Sequence, residues 1–285
     1  MRKKRLNNRN RSRGGNAVIF FMLGLVGLFM ALPLIYAVVQ SVKPIEELFI
    51  FPPRFYASNP TFDNFRDLIS VSSTLWVPFE RYVLNSVFIS ILSTGGHVII
   101  ASMAAYTLAK HPFPGNKMFF NIIVTALMFS APVTAIPSYI VMARMGLINN
   151  YLALILPSFA SPMGLYLMKQ FMGQIPNVML EAARIDGARE FRIFFRIVMP
   201  QVKPAWLTLV IFAFQAAWNQ TGTTFIYNEE LKLLPTVLNQ ISSGGIARAG
   251  ISSAAAVLLM IPPIATFLIT QSNVIETMSH SGIKE

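Results

Sequence analysis

Apolar and polar positions alternate over long distances in this chain of 285 residues. Six mostly apolar stretches, residues 18–39, 83–108, 118–142, 151–168, 205–226 and 251–271, are separated by polar segments. Each approaches the about 20 residues that carry an α-helix across a bilayer core at roughly 1.5 Å per residue. The pattern predicts an all-α, polytopic membrane protein with six transmembrane helices. Gly95-Gly96 interrupts the second stretch, and Pro132 and Pro137 interrupt the third. Helix breakers at membrane depth survive only where neighbouring helices or a water-lined cavity satisfy the freed backbone groups, which places these two helices inside a bundle. The expected division is a basic N-terminus (1–16), a transmembrane domain (17–272) containing a central loop (169–203), and a tail (273–285).

Charge fixes the orientation. Sixteen of the 23 Lys and Arg residues fall on the side of the N-terminus when six crossings are drawn, against seven on the other. Basic residues concentrate in cytoplasmic segments, so both termini are expected in the cytoplasm of a bacterial cell. The stretch 1–13 also resembles the basic end of a signal peptide, but the apolar run behind it exceeds the about 7–15 residues of a cleavable core, which favours a retained first helix. The composition, 54% hydrophobic and 12% charged, agrees with lipid as the main solvent. A net charge of +11 would suit nucleic acid if the basic residues shared one soluble face; they do not, and no aromatic-basic interleaving accompanies them. Without cysteine there is no disulfide, Cys-ligated zinc or thiol nucleophile. No phosphate-binding loop, His-Glu-x-x-His run or nucleophile elbow occurs, so the chain is expected to be non-catalytic.

The central loop carries the densest chemistry. An Arg or Asp at the bilayer centre costs about 2.5–3.5 kcal/mol, which keeps this segment in the cytoplasm. Pro176 opens a helical run through Leu180 to Asp186, and Gly187 marks a turn into a second helix. There Phe191, Phe194, Phe195 and Val198 form an apolar stripe opposite Arg189, Arg192 and Arg196, and Pro200 is expected to end the helix. Periodicity alone allows either a docking element or an amphipathic helix resting on anionic headgroups.

Elsewhere, residues 41–81 read as an outer cap or a short helix along the bilayer. The polar connector 228–249 is either a plain loop or a docking element, with Leu234, Pro235, Thr236 and Asn239 as its candidate contacts. Gln215, Trp218 and Asn219 offer amide and indole groups suited to a solute contact, although interfacial Trp is ordinarily an anchor. His97 reads as a packing residue bonded by Ser93, with a pore-lining role as the alternative.

The run Glu181-Ala182-Ala183-Arg184-Ile185-Asp186-Gly187, closing on Ile197-Val198-Met199-Pro200, resembles the cytoplasmic "EAA" loop of ABC importer permeases. Asp63-Asn64-Phe65, Gly146-Leu147-Ile148-Asn149-Asn150, Trp218-Asn219 and Leu234-Pro235-Thr236 are similar to the carbohydrate-uptake, MalG-like branch. The resemblance implies a type I importer permease fold in which Glu181, Ala182, Ala183, Asp186, Gly187 and Pro200 belong to a coupling helix. It implies as partners a second permease subunit, two ATPase subunits that bind the ATP and Mg, an extracellular solute-binding protein, and a sugar or oligosaccharide. No cofactor is expected in this chain itself. Residues 276–285 are similar to the segment reaching between the ATPases, but end in Ser-Gly-Ile-Lys-Glu where the family more often has Ala-Gly-Ala-Val-Lys-Gly. The alternatives are an ABC permease for a peptide, amino acid, phosphate or polyamine, and an ion-gradient-driven transporter. The latter usually needs intramembrane charges, which the span centres lack.

Overall fold

A computed structural model describes residues 13–73, 76–245 and 248–281. The basic residues 1–12 and the tail end 282–285 lie outside the described residues. The described chain is helical throughout, without a strand. Four of its helical segments are long and apolar enough to cross a membrane: Gly14–Ser41, Phe79–Lys110, Leu152–Gly173 and Ala249–Gln271. A fifth is counted if Glu190–Gln201 and Lys203–Trp218, which meet at 82°, form one broken span.

The chain divides into two units. One comprises the residues up to Leu68 with Gly245–Val257. Its helix α1 (Arg13–Ser41) has no buried residue in its most apolar window, so its side chains are fitted to lipid or to another chain. After it comes the short α2 (Ile45–Leu48) and the start of α3 (Asp63–Ser73). This outer segment is tied together by polar groups rather than by a core. Asn64 donates from Nδ2 to the carbonyls of Ser41 (2.9 Å) and Lys43 (2.7 Å), satisfying acceptors left free where α1 ends. Glu47 accepts from the backbone N–H groups of Ser58 (2.9 Å) and Asn59 (3.0 Å), and buried Lys43 donates to Arg54 O. The segment between α1 and α3 is therefore a hydrogen-bonded knot. A Cβ on Gly250 would stand 2.0 Å from Asn64 Oδ1, so a glycine is needed at the start of α14 (Ala249–Ser281).

The second unit comprises Ile69–Gly244 with the chain from Leu258 onward. Its axis is α4 (Phe79–Lys110), 32 residues long, against which α7 (Leu152–Phe159), α8 (Pro162–Gly173) and α12 (Lys203–Trp218) pack. Gly95-Gly96 does not break α4, contrary to the expectation. Glycine costs a helix only about 1 kcal/mol. A Cβ on Gly96 would stand 2.3 Å from the Phe159 ring, so the residue serves close approach of α7. The third apolar stretch does break, between α5 (Asn116–Ala126) and α6 (Ala131–Arg144), with Pro132 in the first turn of α6, where its missing N–H is harmless. The fourth breaks at Ala160-Ser161, ahead of Pro162. The fifth is shorter than expected: α12 ends at Trp218, and Gly222 takes φ +70° in the turn behind it.

The Gly146–Asn150 motif is also structural. Asn149 adopts φ +59°, and its Oδ1 accepts from the backbone N–H groups of Tyr227 (2.6 Å) and Asn228 (3.0 Å). Asn149→Ala would strain the left-handed backbone and remove both acceptors. A loss of about 1–2 kcal/mol in the subunit's unfolding free energy is expected, read as a lower denaturant midpoint in detergent.

Candidate functional site

The central loop folds into the two-helix element that its sequence predicts. Helix α9 (Asn177–Ile185) ends at Asp186, and Gly187 follows at φ +79°. Gly187 N donates to Arg184 O (3.0 Å) and Ala188 N to Ala183 O (2.9 Å), the paired bonds of a Schellman stop that a glycine accommodates without Cβ strain. The chain then enters α10 (Glu190–Ile193), a π-helical turn (Phe194–Val198) and α11 (Met199–Gln201).

Three findings differ from the sequence expectation. Pro200 does not end the helix; it lies in the first turn of α11, and the chain bends after it, at Val202. The stripe Phe191, Phe194, Phe195 and Val198 is split: Phe194 and Val198 are buried with Ile193, whereas Phe191 and Phe195 are exposed and face one another at 6.5 Å. The wider π turn rotates the faces out of the 3.6-residue register on which the stripe is drawn. Ala183 is buried with Leu180 in the subunit's own core, so it fixes α9 rather than contacting anything outside.

The outward face of α9 instead presents Glu181 and Ala182, flanked by Val178 and Ile185, which is 86% exposed; Asp186 and Gly187 complete it. Val178, Glu181, Ala182 and Ile185 follow helical i, i+3, i+4, i+7 spacing. Sequence reasoning misses Val178 and Ile185, although a second apolar stripe in α9 is there to be read.

The element is held by the end of α4. Tyr106 Oη donates to Glu190 Oε2 (2.8 Å) and Arg184 Nε to Glu190 Oε1 (2.8 Å), so one carboxylate ties α4, α9 and α10 together across the Gly187 turn. His111 Nε2 stands 3.5 Å from the same carboxylate. The Arg184 bond holds the Glu190 carboxyl below its ordinary range, and Glu190 raises the Arg184 guanidinium. Lys110 Nζ donates to the carbonyls of Gly173 (3.3 Å) and Ile175 and to Asn177 Oδ1 (3.1 Å), covering the end of α8 and the start of α9.

The other end of α4 grips the connector between α12 and α14. Asn85 Nδ2 donates to Glu230 O (2.9 Å) and Lys232 O (3.0 Å), Tyr82 Oη to Glu229 Oε1 (3.2 Å), and Ser86 Oγ accepts from Leu234 N (2.7 Å). There α13 (Leu234–Ser242) buries Leu234, Pro235 and Thr236 against its own subunit, with Thr236 Oγ1 donating to Thr221 O. These three residues therefore anchor the connector, and only Asn239 of the four candidate contacts is exposed. The reason is the apolar face of α13, which has no other surface to cover.

Among the candidate solute contacts, Trp218 is 2% exposed; its Nε1 donates to Leu259 O (3.0 Å) and its ring stacks with Phe214. It is a satisfied anchor. Gln215 and Asn219 are exposed. His97 is buried, but its partner is the Phe159 carbonyl (Nδ1 to O, 3.4 Å), not Ser93. No cluster of three or more His, Cys, Asp or Glu residues suited to a metal occurs among the described residues.

Residues 97–279, well over half of the chain, match the family model for the binding-protein-dependent transport system inner membrane component. The chain belongs to that family. The matched segment contains the whole central element and the carboxylate clamp beneath it. The chain is 31% identical to Protein LplC of Bacillus subtilis, over 83% of its own length and 79% of the relative's. It is 28% identical to the arabinooligosaccharides transport system permease protein AraQ of Halalkalibacterium halodurans, over 93% and 94%. Its fold is that of a chain in the crystal structure of a bacterial ABC transporter involved in the import of the acidic polysaccharide alginate. The TM-score is 0.74 at 22% identity, covering 95% of this permease and 99% of that chain.

Proposed function

We propose that this permease forms, with a second permease subunit, the membrane path of an ATP-driven importer for a sugar or oligosaccharide. The observation that carries the reading is the outward face of α9. Val178, Ala182 and Ile185 project from a charged segment with Glu181 and Asp186 beside them, on an element clamped from behind by Tyr106, Glu190 and Arg184. An apolar, acidic-edged surface held rigidly suits a groove on a partner ATPase better than anionic lipid, which would repel both carboxylates. The chain itself supplies no catalytic group; ATP and Mg belong to two ATPase subunits.

Six crossings complete the topology. The α5–α6 pair is the third, broken at Leu127–Ser130, and α12 is the fifth, with its preceding bend leaving the coupling helix in the cytoplasm alongside both termini. On the outer side, Asn239 and the neighbouring Ser243-Gly244 form the surface offered to a solute-binding protein. The sugar assignment is supported by the likeness to the arabinooligosaccharides permease AraQ and by the lack of Asp, Glu or Lys at the span centres, which disfavours an ion-coupled carrier.

The test is the double substitution Glu181→Lys with Asp186→Lys. It keeps α9 folded, because both side chains are exposed, and reverses the charge of the docking edge. Membrane insertion should be retained while copurification of the ATPase and sugar uptake in proteoliposomes are lost. Normal assembly with full uptake would reject the docking role.

A further inference from the structure

The unit built around α4 contains a half-open cavity of about 450 Å³, within the range of ligand sites, between α4, α7, α8 and α12. Ser93, His97, Ser161 and Gln220 are among its lining residues. Ser93 is 1% exposed, and its Oγ has no hydrogen-bond partner among the described residues. A buried hydroxyl without a partner has given up its hydration for nothing in return, and of the four such hydroxyls on α4 (Ser90, Ser93, Thr94 and Ser102) Ser93 is the one that lines this cavity. The break of the fourth span at Ala160-Ser161 opens on the same space. Irregular backbone at membrane depth is tolerated where it lines a cavity. The space also depends on Gly164, where a Cβ would stand 2.1 Å from His97 Nε2 and 2.9 Å from a Leu209 methyl. The glycine lets the imidazole lie close against α8.

The lining contains no carboxylate, ammonium or guanidinium group; apart from Ser158, whose hydroxyl donates to Ile155 O (2.6 Å), its remainder is apolar, with small side chains at Ala213 and Ala216. An anionic sugar placed there would lose its hydration with no cation to replace it. A neutral sugar ring would place hydroxyls on Ser93, Ser161 and Gln220 and its apolar faces on the alanines. We propose that this cavity is a contact site for one uncharged, hydroxyl-rich unit of the solute in transit, and that it restricts the importer to neutral saccharides. The proposal rests on the sugar-importer reading above and narrows it.

Because the chain has no cysteine, Ser161→Cys introduces the sole thiol of the subunit. In the complete importer with its binding protein, reconstituted in proteoliposomes, uptake is measured for neutral arabino-, malto- and xylo-oligosaccharides and for oligogalacturonate and oligomannuronate of matched length. Uptake should be confined to neutral members of the panel. The Ser161→Cys importer, with its half-exposed thiol, should react with a small methanethiosulfonate reagent, and the sugar that is carried should suppress that labelling. Ser93→Val should lower uptake about tenfold without changing affinity for the binding protein. Should Ser161→Cys fail to assemble, Gln220→Cys, also half-buried in the lining, is read in the same way. Uptake of a uronate oligosaccharide at a similar rate, or labelling indifferent to the transported sugar, overturns the proposal while leaving a sugar importer. Uptake of none of the saccharides by the unmodified importer overturns the sugar reading, and this proposal with it.

Discussion

Replacing Gly187 by valine is expected to reduce uptake by the assembled importer up to about thirtyfold while leaving the subunit in the membrane. Gly187 sits at φ +79°, where a β-branched residue is a conformational outlier costing about 1–2 kcal/mol or more. Nothing lies within 4 Å of the point a Cβ would occupy there, so the penalty is one of backbone and not of crowding. The chain can relieve it only by rotating the turn, which breaks the bonds from Gly187 N to Arg184 O and from Ala188 N to Ala183 O, each worth about 1 kcal/mol. Whether the strain is borne or relieved by losing both bonds, about 1–2 kcal/mol is taken from the geometry of the turn, a factor of about 5 to 30. Gly187→Ala, with the smaller strain, should fall between. The measurements are subunit abundance in membranes, ATPase copurification and uptake; a valine variant that assembles and transports normally would show that the turn does not set the docking angle.

Glu190→Gln is expected to loosen coupling without releasing the partners. The glutamine keeps an acceptor for Tyr106 but loses the charge that pairs with Arg184, so α9 and α10 are no longer locked to α4 as one body. The Glu190 side chain is 47% exposed, so the bond is discounted for solvent screening to about 1 kcal/mol, or somewhat under tenfold. ATP turnover should become less dependent on the loaded binding protein, and the sugar moved per ATP should fall. The pH dependence has a definite sign. Glu190 is held below its ordinary range, so its contribution is fully present above the unfolded carboxylate value of about 4.3 and is lost as pH falls through the lowered folded value. Glu190 itself therefore contributes no pH dependence between about pH 6 and 8, where the variant should have the lower coupling throughout. Unchanged stoichiometry in the variant would remove Glu190 from the linkage.

The two clamps give α4 a mechanical meaning. At about 1.5 Å per residue, its 32 residues extend about 48 Å, with Tyr106 and Lys110 holding the α9–α10 element at one end and Tyr82, Asn85 and Ser86 holding the connector between α12 and α14 at the other. Under the proposed docking role, a helix uninterrupted through Gly95-Gly96 would carry a movement of one end to the other.

Much of this molecule was determined by its sequence alone. The apolar stretches and the Gly187 turn follow from local chemistry: transfer energies of whole segments, and a backbone angle that only glycine takes easily. The motif from Glu181 to Pro200 marked the family for the same reason, since its spacing is written along the chain. Only the tertiary structure decided which faces point where. Ala182 and Ala183 are neighbours of equal chemistry, yet one lies outside and the other in the core, because α9 has an apolar stripe on each side and only packing against α4 and α8 chooses between them. The π turn that splits the Phe191–Val198 stripe changes the periodicity from which burial is inferred. Thr236 and Trp218 carry groups suited to recognition, but each finds a backbone carbonyl in its own subunit. Ser93 finds none, and no reading of a linear sequence distinguishes a hydroxyl with a partner from one without, because the partner lies on a different helix.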